Sequence, residues 1–219
     1  MPTLFNTHEQ IGAIGTVSGN TPFTQALSEA AAQTFFQGVP VQLNGAHFVQ
    51  KWDGATFTAG LLGFSLAFGL NLPSAGAGTP GGYSQVGPPG TTTTYGSVPY
   101  QASAVNIPLG APPSDGRTYF EAANNDTIFE GQFDNSGGAV AADYTPTLLD
   151  IGKQYGLAFD ASGYAYVNKA LATPGTNTNV IIVGINPVDL VQAGTPNTWI
   201  PGARVRFQVI PAAQQVYTG

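Results

Sequence analysis

Apolar and polar residues alternate with a period of two along much of this chain, the spacing of half-buried β-strands. Val39, Val41 and Leu43 are separated by Pro40 and Gln42. Asn44-Gly45 follows, a pair suited to a tight hairpin turn, and His47 to Trp52 (HFVQKW) reads as the returning strand. Asp53-Gly54 is a second turn pair. Phe57 to Phe68 is apolar with small residues interspersed, consistent with a strand covered on both faces. In the second half the candidate strands are Thr118 to Ala122, Thr127 to Phe133, Gln154 to Phe159, Tyr164 to Val167, Val180 to Ile185 and Arg204 to Ile210. Asp160-Ala161-Ser162-Gly163 supplies the turn between two of them.

Three segments depart from this pattern. Residues 1–23 read as an extended arm, because Gly12, Gly15, Gly19 and Pro22 interrupt any period. Thr24 to Gln33 (TQALSEAAAQ) is predicted as a short helix, with Thr21 or Thr24 as its cap. Residues 71–115 hold eight prolines and eight glycines, which favours a surface excursion containing one or two short strands, most of all around Tyr100 to Ile107. The fold class expected is therefore mainly β: one or two small β-barrels in tandem, with a short N-terminal helix, an extended arm and a long Gly/Pro-rich insert. The boundaries expected are an arm over 1–23, a first barrel over 24–115 that includes the insert 71–115, and a second β domain over 116–219. A weak repeat relates Thr34-Phe35-Phe36-Gln37-Gly38 to Thr127-Ile128-Phe129-Glu130-Gly131, and Leu62-Gly63-Phe64 to Val183-Gly184-Ile185.

Composition narrows the function. Charged residues are 8% of the 219, against about 25% in ordinary soluble domains. Six cations against twelve acids leave a net charge of −6, which supplies no basic footprint for nucleic acid. Cysteine is absent, so disulfides, thiolate metal sites and cysteine nucleophiles are excluded. The start MPTLFNTHEQ lacks the basic and apolar regions of a secretory leader. The apolar run Ala59 to Leu72 is broken by three glycines and is shorter than the roughly 20 residues of a membrane-spanning helix. A soluble protein finished in the cytosol, or assembled there into something larger, is expected.

The candidate chemistry is weak. Gly76-Ala77-Gly78-Thr79-Pro80-Gly81 matches a dinucleotide loop in spelling, but Pro88-Pro89 follows where a helix should open. Gly63-Phe64-Ser65-Leu66-Ala67 lacks the final glycine of a nucleophile elbow, and both His8 and His47 precede Ser65. His8, Glu9 and His47 have no metal-ligand spacing. Asp126, Glu130 and Asp134 would form a hydrated stripe on one strand face. Trp52 and Trp199 fill a core or an interface, or stack on sugars. Asn125-Asp126-Thr127 spells a glycosylation site that is idle without a secretory route. No catalytic, cofactor-binding or metal residue is assigned, and no cofactor is expected.

Two blocks carry a resemblance. Thr34 to Leu66 (TFFQGVPVQLNGAHFVQKWDGATFTAGLLGFSL) resembles the barrel segment of tailed-phage capsid decoration, or cement, proteins. There an aromatic–x–x–Gly start leads into an alternating strand, an Asn/Asp–Gly turn, a second strand and a Gly-interrupted apolar strand. Asp150 to Val167 (DIGKQYGLAFDASGYAYV) is similar to a second element of such virion proteins. The insert 71–115 departs from their compact pattern. The resemblance implies a non-enzymatic structural protein of the bacteriophage virion, made in the host cytoplasm and bound to the capsid surface. Its implied partner is the major capsid protein, with neighbouring copies or a homo-oligomer, a trimer among them, and neither nucleic acid nor membrane. A tail, neck or baseplate component and a carbohydrate-binding or adhesin module are the alternative readings.

Overall fold

The computed structural model describes residues 8–28, 37–44, 48–54, 60–66, 84–86, 92–94, 117–136, 138–174, 176–190 and 198–215. Its strands, in chain order, are β1 (Gly12–Thr16), β2 (Thr24–Ser28), β3 (Pro40–Leu43), β4 (Val49–Lys51), β5 (Gly63–Ser65), β6 (Ser84–Val86), β7 (Thr92–Thr94), β8 (Arg117–Ala122), β9 (Thr127–Asp134), β10 (Gln154–Phe159), β11 (Ala165–Asn168), β12 (Val180–Ile185) and β13 (Arg204–Val209). Among the described residues helix is scarce: one turn, α1 (Ala141–Tyr144), and short 3-10 turns at Leu148–Asp150, Pro187–Asp189 and Pro211–Ala213. The protein is mainly β, as its alternation predicts.

The second half closes into a five-stranded barrel. β9 pairs with β11, β11 with β10, β10 with β12, β12 with β13, and β13 returns to β9. All of these pairs are antiparallel except β9 with β11. Alternation places Phe129 and Phe133 of β9 and Val205, Phe207 and Val209 of β13 in the core. Closure leaves these strands without a free edge between them.

The first half forms a five-stranded antiparallel sheet in the order β2-β8-β5-β3-β4. It shares one core with the barrel. Phe64 of β5 packs against Phe129 and Phe207 at ring centroid distances of 4.6 and 5.9 Å, and Trp52 and Leu61 join the same cluster. A smaller cluster of Val39, Val41, Leu43, Val49, Leu62, Phe120 and Ala122 fills the sheet's own interior.

Several expectations change. Thr24–Ser28 is strand, not helix, and residues 29–33 lie outside the described residues. Ala26 and Leu27 favour helix intrinsically, but β8 offers a paired edge from Arg117 to Glu121, and tertiary pairing overrides propensity. Within the expected arm, Gly12–Thr16 pairs with β9. The insert contributes two short strands, as many as expected, but at β6 and β7, which pair as a ribbon; its remaining residues, including the expected place at Tyr100 to Ile107, lie outside the described residues. The repeat does not extend to local packing. A Cβ on Gly63 would strike the backbone carbonyl of Glu121, whereas one on Gly184 would meet nothing closer than 3.7 Å.

Candidate functional site

Among the described residues, a polar clasp fastens the N-terminal segment 8–28, here called the strap, across both sheets. Its position follows from the pairing of β9. Successive strand residues direct their backbone groups to opposite edges. Phe133 N–H donates to Ala203 beside β13, while the Asp134 carbonyl accepts from Lys169 beyond β11. β1 therefore shares with β11 the edge opposite β13, and the chain before β1 must leave that edge and cross over β11.

His8 lies at this crossing. Its Nε2 is 2.9 Å from Asp134 Oδ2 and its Nδ1 3.0 Å from Asp160 Oδ2, and its backbone N–H donates to the same Asp160 oxygen at 2.9 Å. The ring stacks on Tyr166 with centroids 4.2 Å apart and planes 13° from parallel. All three of these ionisable side chains are fully buried. Burial, with the Asp134 charge beside it, pushes the Tyr166 hydroxyl up to about 12, against an opposing hydrogen bond with Ser136. Asp134 is thus no part of a hydrated stripe. It lies at the end of the outer face of β9, where the strap covers it.

The rest of the strap is held in the same style. Gln132 Oε1 accepts from Glu9 N–H, Glu121 Oε2 from Ala13 N–H, and Asp126 from both Ser18 N–H and Ser18 Oγ. Burial raises the Glu121 carboxyl, against the lowering effect of the Ala13 bond. Four of the chain's twelve acids, Asp134, Asp160, Glu121 and Asp126, therefore receive the strap. Ile11 is its buried apolar plug. It sits between Gly38, at φ +76°, and Gly131, where an added Cβ would lie 2.7 Å from Ile11 backbone atoms and from Ile11 Cγ1 respectively. Only glycine leaves that room on both sides.

Beside the strap, Glu9, Gly12, Glu130 and Arg204 line a depression of about 210 Å³. Arg204 is taken up by Asp189, with Nε and Nη2 each 2.9 Å from a carboxylate oxygen, and this fork holds the Asp189 carboxyl below its usual range. The motifs singled out from the sequence are dispersed. Ser65 is buried and accepts from Val39 N–H. Trp52 and Trp199 are buried, and Trp199 Nε1 donates to the Asn186 carbonyl, so neither offers a ring face to a sugar. Thr127 of the glycosylation sequence is buried with its hydroxyl donated to Asn124. His47 and the Gly76–Gly81 loop lie outside the described residues. Among the described residues, no three His, Asp or Glu side chains are grouped to hold a metal ion; the two clasp carboxylates bond opposite ring nitrogens and do not converge.

The described surface also carries large apolar side chains. Ile14, Val17 and Phe23 on the strap and Tyr119 on β8 are exposed, and a second set projects from one end of the barrel. Protein-family models, curated proteins and solved structures give no match to the chain.

Proposed function

We propose that this protein is a non-enzymatic structural component of a bacteriophage virion, a decoration or cement protein that binds the outer surface of the major capsid protein lattice and stabilises the head. The tandem-barrel reading, with the insert 71–115 as an added contact element, belongs to this proposal. The observation that carries it is the exposed apolar set on a strap that is itself rigidly fastened. Ile14, Val17 and Phe23 stand out from a segment pinned by the buried His8 bonds and the part-buried Ala13 bond, and Tyr119 is exposed on β8, which pairs with it. Exposed apolar patches mark surfaces meant to be covered. A protein that binds the assembled shell and not its free subunits stabilises the shell by mass action. Low charge suits a wide neutral contact, since interface cores are depleted of charged residues.

Co-sedimentation with shells stripped of the protein tests the reading. The expected result is saturable binding in fixed ratio to the major capsid protein and a higher melting temperature of the shell. Val17→Asp and Phe23→Asp, both at exposed positions, are expected to weaken binding by about tenfold or more with the fold retained. A protein that stays in the supernatant, or variants that bind like the parent, would overturn it.

A further inference from the structure

The clasp brings three titratable side chains together out of reach of solvent, and each carboxylate meets the ring through one oxygen. Asp134 Oδ2 is 2.9 Å from His8 Nε2, and Asp160 Oδ2 is 3.0 Å from Nδ1. The other oxygen of each is already taken. Asp134 Oδ1 accepts from Asn135 N–H at 2.6 Å, and Asp160 Oδ1 accepts from Ser162 and Tyr164 N–H at 2.8 and 2.9 Å. A carboxyl proton on either of those oxygens would point at a backbone hydrogen, so the protons of this cluster have room only between ring and carboxylate.

Among the described residues, each element packed around the cluster presents its own polar groups. β11 presents Tyr166, whose ring covers the imidazole face and whose hydroxyl bonds with Ser136. β4 presents Lys51, which sits over the Phe159 ring and feels the Asp160 charge. Lys169, just beyond β11, turns its ammonium to the Ala142 carbonyl. Glu9, next to His8 on the strap, has its carboxylate 3.9 Å from Arg204.

We propose that each of the two N···O lines holds one shared proton, and that the clasp is thereby a pH-operated latch, which opens the crossing of the strap over β11 when alkaline medium removes one of the two. The missing proton leaves a ring nitrogen facing a carboxylate oxygen, lone pair to lone pair, with two buried acids and one donor between them. Relief requires water, and the strap is the cover that keeps water out. His8 also bonds Asp160 through its backbone N–H, so ring and backbone leave together. The Ile11 plug and the pairing of β1 with β9 lie further along and use no titrating side chain of the clasp, so the opening is confined to the chain before them. The latch is a property of the chain alone and does not rest on the capsid reading.

Site-resolved amide hydrogen exchange of the full chain tests the latch, followed from about pH 6 to about pH 10 and corrected for the intrinsic exchange rate, with the β12–β13 ladder as internal reference. The His8 and Glu9 amides are expected to lose protection about tenfold or more against that reference, in one step as the pH rises. Asp134→Asn separates titration from packing. Its side-chain amide donates a non-titrating hydrogen to Nε2 while Nδ1–H donates to Asp160, so both lines stay filled, and protection is expected to persist across the range. His8→Gln is expected to show low protection with no step. Parent protection that is flat in pH would overturn the inference. So would a step that survives in His8→Gln, which places the titrating group elsewhere, or one that survives in Asp134→Asn, which denies the two shared protons their role. If Asp134→Asn does not fold, the comparison of parent with His8→Gln still decides.

Discussion

His8 shows how much one side chain can hold. It bridges two carboxylates 126 and 152 residues away, with all three side chains buried from bulk solvent. His8→Ala would leave both acids buried and short of donors, so a loss of about 3 kcal/mol is expected in denaturant unfolding. A loss below about 0.5 kcal/mol would mean the clasp is incidental. Asp189 gives a pH signature. Arg204 depresses its folded-state pKa, so its contribution is present above the unfolded carboxylate value near 4 and fades as pH falls through the lower folded value. Parent and Asp189→Asn stability curves are therefore expected to differ at neutral pH and converge in strong acid. A constant gap across the acid range would contradict the assignment. None of this was legible in the sequence, where His8 is one histidine in an irregular arm. Its partners are set by topology, and no local spacing encodes them.

At the scale of elements, the readable strands are those whose alternation matches a one-sided core. β10 and β12 fall on their expected residues, and β3, β8, β9, β11 and β13 lie within a residue or so of theirs. β1 and β2 were not legible for opposite reasons. GAIGT has too few large residues to show a period, yet it gains a partner from the edge of β9. TQALS resembles helix locally, and pairing with β8 overrides it. Both belong to the strap, whose apolar anchor is Ile11. Ile11→Ala is expected to cost about 3 kcal/mol and to speed limited proteolysis within residues 8–28 before the barrel is cut. Unchanged cleavage there would show that the polar contacts alone secure the strap.

At the scale of the molecule, the two sheets behave as one body, because Phe64 lies between barrel residues and the strap is bonded to both. A single cooperative unfolding transition is therefore expected, coincident by fluorescence and circular dichroism; two separated transitions would mean that the halves are independent. A rigid, weakly charged β body with apolar side chains on its strap and at one end is suited to being covered by neighbours. The most direct test is the copy number of this protein in washed, intact virus particles, measured by quantitative mass spectrometry. The expected result is a fixed, high ratio to the major capsid protein. Absence from the particles, or a handful of copies confined to the neck or tail, would contradict a role on the capsid lattice.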